Sequence, residues 1–298
     1  MKLTSTMQLK LILCPVDFSE FSLRAYLHAL LLAEHYKAKV VALHVVELWK
    51  YPFADYAASE ADYAKFSSAL NEGGAVKLRE FVKKHAHAGM EPELVVNQGN
   101  ASDLILSFAQ AENIELIVMG THGRRGFDRL VLGSTTDRVM RRSCCPVLAI
   151  AKPPQNATHE GRQAHHLSRI LYCSDFSENS ERALNYAISV TAEYDGELTL
   201  LHVIEIVPHS ANKDDLVRTC TKRLDQLIPA AVRKTLKVKI AVRTGKAYEQ
   251  IVQHATEAQM DMVIMAARGA DALDRAVFGS TTYRVIQLGS CPVLAVHT

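Results

Sequence analysis

The sequence predicts an α/β fold of two tandem, doubly wound domains, each a five-stranded parallel sheet with helices on both faces. Three observations carry this prediction. The 298 residues exceed one small domain and suit two of about 150 residues each. Short apolar runs alternate with stretches of helical periodicity, as in parallel βαβ units. The same order of elements then recurs in the second half of the chain.

The first half reads strand, helix, strand, aromatic segment, helix, strand, helix, strand, helix, strand. Strands are predicted at residues 11–16, 40–46, 93–99, 116–119 and 146–150, and helices from Ser19 or Ser22, at 61–86, at 101–112 and from Gly133-Ser134 onward. Helical spacing of alanines and leucines between residues 25 and 33 supports the first helix. The aromatic segment, with Trp49, Tyr51, Phe53, Tyr56 and Tyr63, either covers the neighbouring site or contacts a second chain.

An internal repeat fixes the domain count. Asp17 and Asp175 are 158 positions apart, whereas Gly133 and Gly279 are 146 positions apart. A constant offset on each side indicates a duplicated domain, and the difference places an insertion of 12 residues between positions 47 and 99 of the first copy. We therefore predict domains at 1–152 and 169–298, joined by a polar linker at 153–168.

Composition excludes several classes of protein. The hydrophobic share of 48% and the charged share of 22% are ordinary for a globular chain, and a net charge of +2 offers no general field for nucleic acid. No apolar run is long enough to span a membrane, and residues 9–16 are predicted to form a strand, not a signal peptide. Six scattered cysteines indicate reduced thiols and a cytoplasmic protein, with Cys144 and Cys145 expected to be packing residues.

The stretch from Gly120 to Thr135 carries the functional prediction. A strand runs into a glycine-bearing loop and then into the start of a helix at Gly133-Ser134. Glycines let the backbone approach a ligand closely, and the free amides and dipole of a helix N-terminus favour an anion. The loop lacks the lysine of a Walker P-loop, so slow or absent hydrolysis is expected. We predict no catalytic residue and no metal site.

These residues resemble the universal stress protein family in its tandem two-domain form. The motif is Gly-x2-Gly-x9-Gly-Ser at Gly120, Gly123, Gly133 and Ser134, supported by Pro15-Val16-Asp17 and by Leu43-His44-Val45. The resemblance implies Rossmann-like, nucleotide-binding domains packed as a pseudo-dimer through their last strands. It also implies ATP, or another adenine nucleotide, as ligand, with or without Mg²⁺.

The resemblance also implies which residues bind the nucleotide. In the first domain they are Pro15, Val16, Asp17, Val45, Met119, Gly120, Gly123, Gly133, Ser134 and Thr135. In the second domain they are Ser174, Asp175, Val203, Met265, Gly269, Gly279, Ser280 and Thr281. The second copy departs from the motif because Ala266 stands where the first glycine is expected, and Asp271 and Asp274 add negative charge to its loop. That departure leaves open whether the second domain binds nucleotide.

Alternatives remain open at the level of single residues and of function. Asp17 and Asp175 either cap the following helices or bind ligand, and His44 and His202 are expected to be hydrogen-bonded core residues. Arg124 and Arg125 either lie solvated or attract phosphate. The first function considered is an ATP-binding stress-response protein that acts on an unidentified protein partner. The others are a slow ATPase and a scaffold without nucleotide; a homodimer is compatible with each, and neither nucleic acid nor membrane is an expected partner.

Overall fold

The computed structural model describes residues 9–50, 59–85, 89–122, 132–151, 167–207, 212–268 and 279–297. The chain divides into two compact units. We call residues 9–127 with 132–145 the N-terminal unit, and residues 146–298 the C-terminal unit. The domain boundaries predicted above remain predictions. Gly123, Gly269, Arg124, Arg125, Asp271 and Asp274 lie outside the described residues, as do Tyr51, Phe53, Tyr56 and most of the linker.

The N-terminal unit holds a parallel sheet of strand order β3-β2-β1-β4. Its strands are β1 (Leu11–Pro15), β2 (Lys39–Val46), β3 (Glu93–Gln98) and β4 (Leu116–Gly120). Leu13 lies opposite Val41 on β2 and opposite Ile117 on β4. Because the strands are parallel, their carboxyl ends meet at one edge of the sheet.

In the described part of this unit, four α-helices and one short 3-10 helix connect and cover these strands. They are α1 (Glu20–Tyr36), the 3-10 helix Leu48–Lys50, α2 (Glu60–Lys84), α3 (Ala101–Ala111) and α4 (Ser134–Arg142). Ser19, and not Ser22, is the N-cap of α1: its side chain accepts a hydrogen bond from the backbone N–H of Ser22. Ser59 and Asn100 cap α2 and α3 in the same way.

The C-terminal unit holds a sheet of order β5-β10-β9-β6-β7-β8. Its strands are β5 (Val147–Ile150), β6 (Arg169–Cys173), β7 (Glu197–Ile204), β8 (Lys237–Thr244), β9 (Met262–Ala266) and β10 (Val293–Val296). All the pairings from β10 to β8 are parallel. β5 pairs antiparallel with β10, with Leu148 opposite Leu294. The final strand of the first repeat therefore belongs to this unit, where it pairs with the final strand of the second repeat, as the resemblance implied.

In the described residues, the helices of the C-terminal unit follow the same order as those of the N-terminal unit, with one additional short helix before β8. They are α5 (Glu178–Glu193), α6 (Lys213–Leu227), the short α7 (Ala230–Arg233), α8 (Ala247–Glu257) and α9 (Ser280–Leu288). Ser177 caps α5 as Ser19 caps α1. The α/β architecture and the tandem repeat predicted from the sequence are confirmed.

The cysteines divide between core and surface. Cys14, Cys145, Cys173 and Cys291 are buried, and none of the six cysteines forms a disulfide. Burial raises the pKa of the Cys145 thiol to about 12, so this thiol remains protonated. Cys144 is exposed, and the expectation that it packs in the core is wrong. Within the described ranges, no helix is both long and apolar enough to cross a bilayer.

Candidate functional site

The candidate site lies at the carboxyl edge of the N-terminal sheet, where β1, β2 and β4 end. The backbone N–H of Val16 donates to the carbonyl of Leu43 at 2.8 Å, which carries the β1–β2 ladder one residue past Pro15. Val16 is buried, whereas Pro15 and Val45 are half-buried at the ends of their strands. Ligands of open α/β sheets bind at this edge.

Asp17 supports the turn that leads from β1 into α1. Its Oδ1 accepts a hydrogen bond of 3.0 Å from the backbone N–H of Ser19, and Phe18 between them has a positive φ of 64°. Asp175 accepts from Ser177 in the second copy, also at 3.0 Å. The serine is therefore the helix cap in each copy, and the aspartate holds the turn that places it.

The two strand histidines are structural, as predicted. His44 Nδ1 donates to the carbonyl of Val16 at 2.7 Å, and its ring lies 4.5 Å from that of Phe18. His202 Nδ1 donates to the carbonyl of Ser174 at 2.8 Å, and its ring lies 4.4 Å from that of Phe176. Each histidine thus fixes the backbone just beyond the end of its neighbouring strand.

Gly120 is required by the packing of α1 against β4. A Cβ at this position would lie 2.7 Å from the Cβ of Phe21 and 2.8 Å from its carbonyl carbon. Gly120 is not among the described residues with positive φ. The absence of a side chain at position 120 therefore makes room for the first turn of α1, because Phe21 occupies the space that a Cβ would need.

Hydrogen bonds hold the start of α4 against the end of β4. Thr136 Oγ1 donates to the carbonyl of Gly120 at 2.8 Å, and the backbone N–H of Gly133 donates to Thr121 at 2.9 Å. In the second copy, Thr282 Oγ1 donates to the carbonyl of Ala266 at 2.9 Å. The backbone N–H of Gly279 donates to the carbonyl of Ala267, also at 2.9 Å. In both units, these hydrogen bonds therefore hold the N-terminus of the helix against the end of the preceding strand.

The N-termini of α4 and α9 differ from those of α1 and α5. The N-cap residues Gly133 and Gly279 provide no side-chain hydrogen bond to the first turn. Ser134 is exposed, and Thr135 is half-buried beside it. Amide groups without a capping side chain, next to a hydroxyl at the positive end of a helix dipole, suit an anion such as phosphate.

The other predicted residues of the two sites differ in their exposure. In the N-terminal unit, Met119 is buried and Gly133 is half-buried. In the C-terminal unit, Ser174 and Met265 are buried; Val203, Gly279 and Thr281 are half-buried; Asp175 and Ser280 are exposed. The strand ends and the helix start come together within one unit in both copies, and the ligand roles of these residues remain predictions.

Two glutamates at this edge were missed by the sequence reasoning. Glu47 follows β2 directly, and its Oε1 accepts from the backbone N–H of Ala101, the first residue of α3, at 3.5 Å. Glu205 does the same for Ala247 of α8 at 2.8 Å. A signal was present, because both copies place a glutamate after the second strand. In the part of the chain that the structure describes, no group of three metal-ligating side chains is found.

The fold and the site define a class: tandem α/β units in which a loop connects a strand to an uncapped helix N-terminus. The model of the universal stress protein family matches residues 8–151 and again residues 166–297. The chain belongs to the universal stress protein family.

Individual relatives agree with this assignment. Universal stress protein MJ0531 of Methanocaldococcus jannaschii is 35% identical over 144 residues, covering 48% of this chain and 83% of that protein. A universal stress protein of Thermus aquaticus is 32% identical over 144 residues, covering 47% of this chain and 98% of that protein. These relatives match about one repeat of the chain.

The tandem fold itself has a solved counterpart. The crystal structure of a universal stress protein from Archaeoglobus fulgidus has a TM-score of 0.70 and 23% identity, and covers 98% of this chain and 97% of that chain. The similarity therefore extends over both repeats, at the level of the fold.

Proposed function

We propose that the chain is an ATP-binding regulatory protein of the stress response, with ATP or another adenine nucleotide at the carboxyl edge of the N-terminal sheet. The observation that carries the proposal is the N-terminus of α4, where Gly133 leaves the first amide groups without a capping side chain. The phosphates would receive hydrogen bonds from these amides and from the exposed hydroxyl of Ser134. No catalytic residue is part of the proposal.

The strand ends offer the chemistry that the rest of the nucleotide needs. Half-buried Pro15 and Val45 present apolar surface to an adenine ring. The carboxylate of Asp17, held in place by its bond to Ser19, is an acceptor for a ribose hydroxyl or an exocyclic amine. All of these residues belong to the N-terminal unit, so the proposed site needs nothing from elsewhere in the chain.

We extend the proposal to the C-terminal unit. Gly279 leaves the start of α9 without a side-chain cap, as Gly133 does for α4. Ala266 does not argue against a nucleotide there, because the matching position of the N-terminal unit uses glycine to make room for α1. Ala266 is itself buried, at 8% exposure.

The regulatory part of the proposal concerns the surface next to the first site. Trp49 lies three residues beyond the end of β2 and is 57% exposed. Nucleotide at the strand ends would change the surroundings of this side chain. We propose that a protein partner, or a second copy of the chain, binds this surface differently when nucleotide is present. The free thiols fit a cytoplasmic setting.

Two charge substitutions test the phosphate assignment without disturbing the fold. Ser134→Asp and Ser280→Asp each place a carboxylate at the first position of a helix, where it favours the helix dipole but repels phosphate. Calorimetric titration with ATP, with and without Mg²⁺, should show affinity at the N-terminal site falling about tenfold or more in Ser134→Asp. Ser280→Asp should affect only the C-terminal site. Unchanged titrations in both variants would contradict the assignment.

A further inference from the structure

A cavity of about 600 Å³ opens at the amino edge of the C-terminal sheet, opposite the edge proposed to bind nucleotide. The first residues of β6, β7 and β8, which are Arg169, Glu197 and Lys237, line its mouth. His254 and Ala258, on α8 and just beyond it, line it with Thr199, Ala241 and Met260. This volume is in the range of small-molecule sites.

The internal repeat shows how the sequence opens this space. The offsets of 158 and 146 positions pair Thr199 with Val41, Ala241 with Val95 and His254 with Phe108. Strand register supports the pairing, because Thr199 lies opposite Lys239 as Val41 lies opposite Glu93. Ala241 and His254 therefore have smaller side chains than their counterparts in the first copy, and Thr199 and His254 have more polar ones.

His254 brings unmet hydrogen-bonding capacity to the cavity. Its Nδ1 and Nε2 are both shielded from solvent, and neither has a hydrogen-bond partner among the residues that the structure describes. Burial lowers the pKa of His254, the Arg243 guanidinium lowers it further, and the Glu257 carboxylate opposes both. A neutral imidazole has one donor and one acceptor; because both nitrogens are shielded, the ring has to turn toward the cavity before a ligand hydroxyl group can bond to either of them.

The mouth of the cavity carries a small surplus of positive charge. Lys239 pairs with Glu197 at 2.8 Å, and Arg169 Nη1 donates to the carbonyl of Ala258 at 2.9 Å. Lys237 makes no ion pair with any residue that the structure describes. Asp195, also at the mouth, disfavours ligands with several negative charges. This balance favours a single carboxylate at Lys237.

We propose that this cavity binds a small amphipathic monocarboxylic acid. The carboxylate lies at Lys237, the apolar body lies against Ala241 and Met260, and a hydroxyl group bonds to His254 once its ring has turned toward the cavity. The site is separate from the proposed nucleotide site, and its occupancy does not depend on ATP.

The probe for this proposal is 4-hydroxyphenylacetate, which has a carboxylate, a ring and a hydroxyl group. Saturation-transfer NMR and calorimetry with the full chain should show saturable binding with a Kd on the order of 0.1 to 1 mM. The methyl ester of the probe lacks the negative charge and should bind about tenfold more weakly or worse. No saturable binding, or equal binding of acid and ester, would overturn the proposal.

Variants based on the first copy locate the binding. Thr199→Val, Ala241→Val and His254→Phe together restore the first copy's residues and should abolish probe binding, while thermal unfolding and ATP titration keep their wild-type values. Lys237→Gln should weaken binding of the probe about tenfold, and Lys213→Gln, at an exposed position of α6, should have no effect. Wild-type affinity in the triple variant or in Lys237→Gln would place the probe elsewhere and refute the assignment.

Discussion

The Cβ that Gly120 lacks would lie 2.7 Å from the Cβ of Phe21, closer than two such atoms approach in folded proteins. The first motif glycine therefore sets the distance between the first turn of α1 and the end of β4. Since Ser19 and Asp17 immediately precede that turn, the same glycine also sets where the carboxylate of Asp17 lies.

Replacing this glycine should displace α1. We expect Gly120→Ala to destabilise the N-terminal unit by about 1 to 3 kcal/mol, because backbone atoms of Phe21 must move away. Chemical denaturation measures the loss. The reverse change at the equivalent position, Ala266→Gly, is the control and should cost about 1 kcal/mol or less. A Gly120→Ala protein as stable as the wild type would contradict the packing role.

The buried hydroxyl groups of Thr136 and Thr282 should stabilise the attachment of α4 and α9 to the preceding strands. Thr136→Val removes the donor to the carbonyl of Gly120 while preserving side-chain volume, and should cost about 1 to 3 kcal/mol. Thr282→Val should cost a similar amount in the C-terminal unit. Urea denaturation of both variants checks this prediction. A neutral effect in either variant would mean that the hydroxyl does not hold the helix start.

Stability should fall as the pH is lowered below about 6.5. Burial lowers the pKa values of His28, His202 and His254 from that ordinary value, so the unfolded chain takes up protons that the folded chain resists. The stability is fully present above the unfolded pKa and is lost below it, by at most about 1.4 kcal/mol per pH unit for each histidine.

The histidine contribution can be isolated by substitution. His202→Gln keeps a donor for the carbonyl of Ser174 and should flatten the loss of stability between about pH 7 and pH 5. Identical profiles for His202→Gln and the wild type would show that His202 does not resist protonation in the folded state.

The single tryptophan should report on the first nucleotide site. Trp49 is 57% exposed and lies just beyond the carboxyl end of β2. Its fluorescence should change on addition of ATP, with the same concentration dependence as calorimetric binding. Ser134→Asp should shift both curves to higher ATP concentration. A fluorescence change that persists unshifted in this variant would show that Trp49 responds to something other than the proposed site.

The sequence predicted the order and type of elements because its signals are local. Apolar runs, helical spacing and the serine before α1 each act over a few residues, and Ser19 is the observed cap. The internal repeat supported each prediction, because the same pattern of residues occurs in both copies. The same local logic identified His44 and His202 as core residues, since each lies within an apolar strand.

What the sequence did not predict depends on contacts between distant elements. The need for glycine at position 120 comes from Phe21, about a hundred residues earlier. The resemblance implied contact through the last strands, but not the antiparallel direction in which β5 pairs with β10. The roles of Glu47 and Glu205 required knowing which helix begins beside each strand end.

The central claim is that this chain binds an adenine nucleotide at its uncapped helix starts. Native mass spectrometry of the full chain after incubation with ATP and Mg²⁺ tests it most directly. We predict an adduct with the mass of ATP on each chain, absent when Ser134→Asp and Ser280→Asp are combined. A spectrum of the wild-type protein without any nucleotide adduct would contradict the claim.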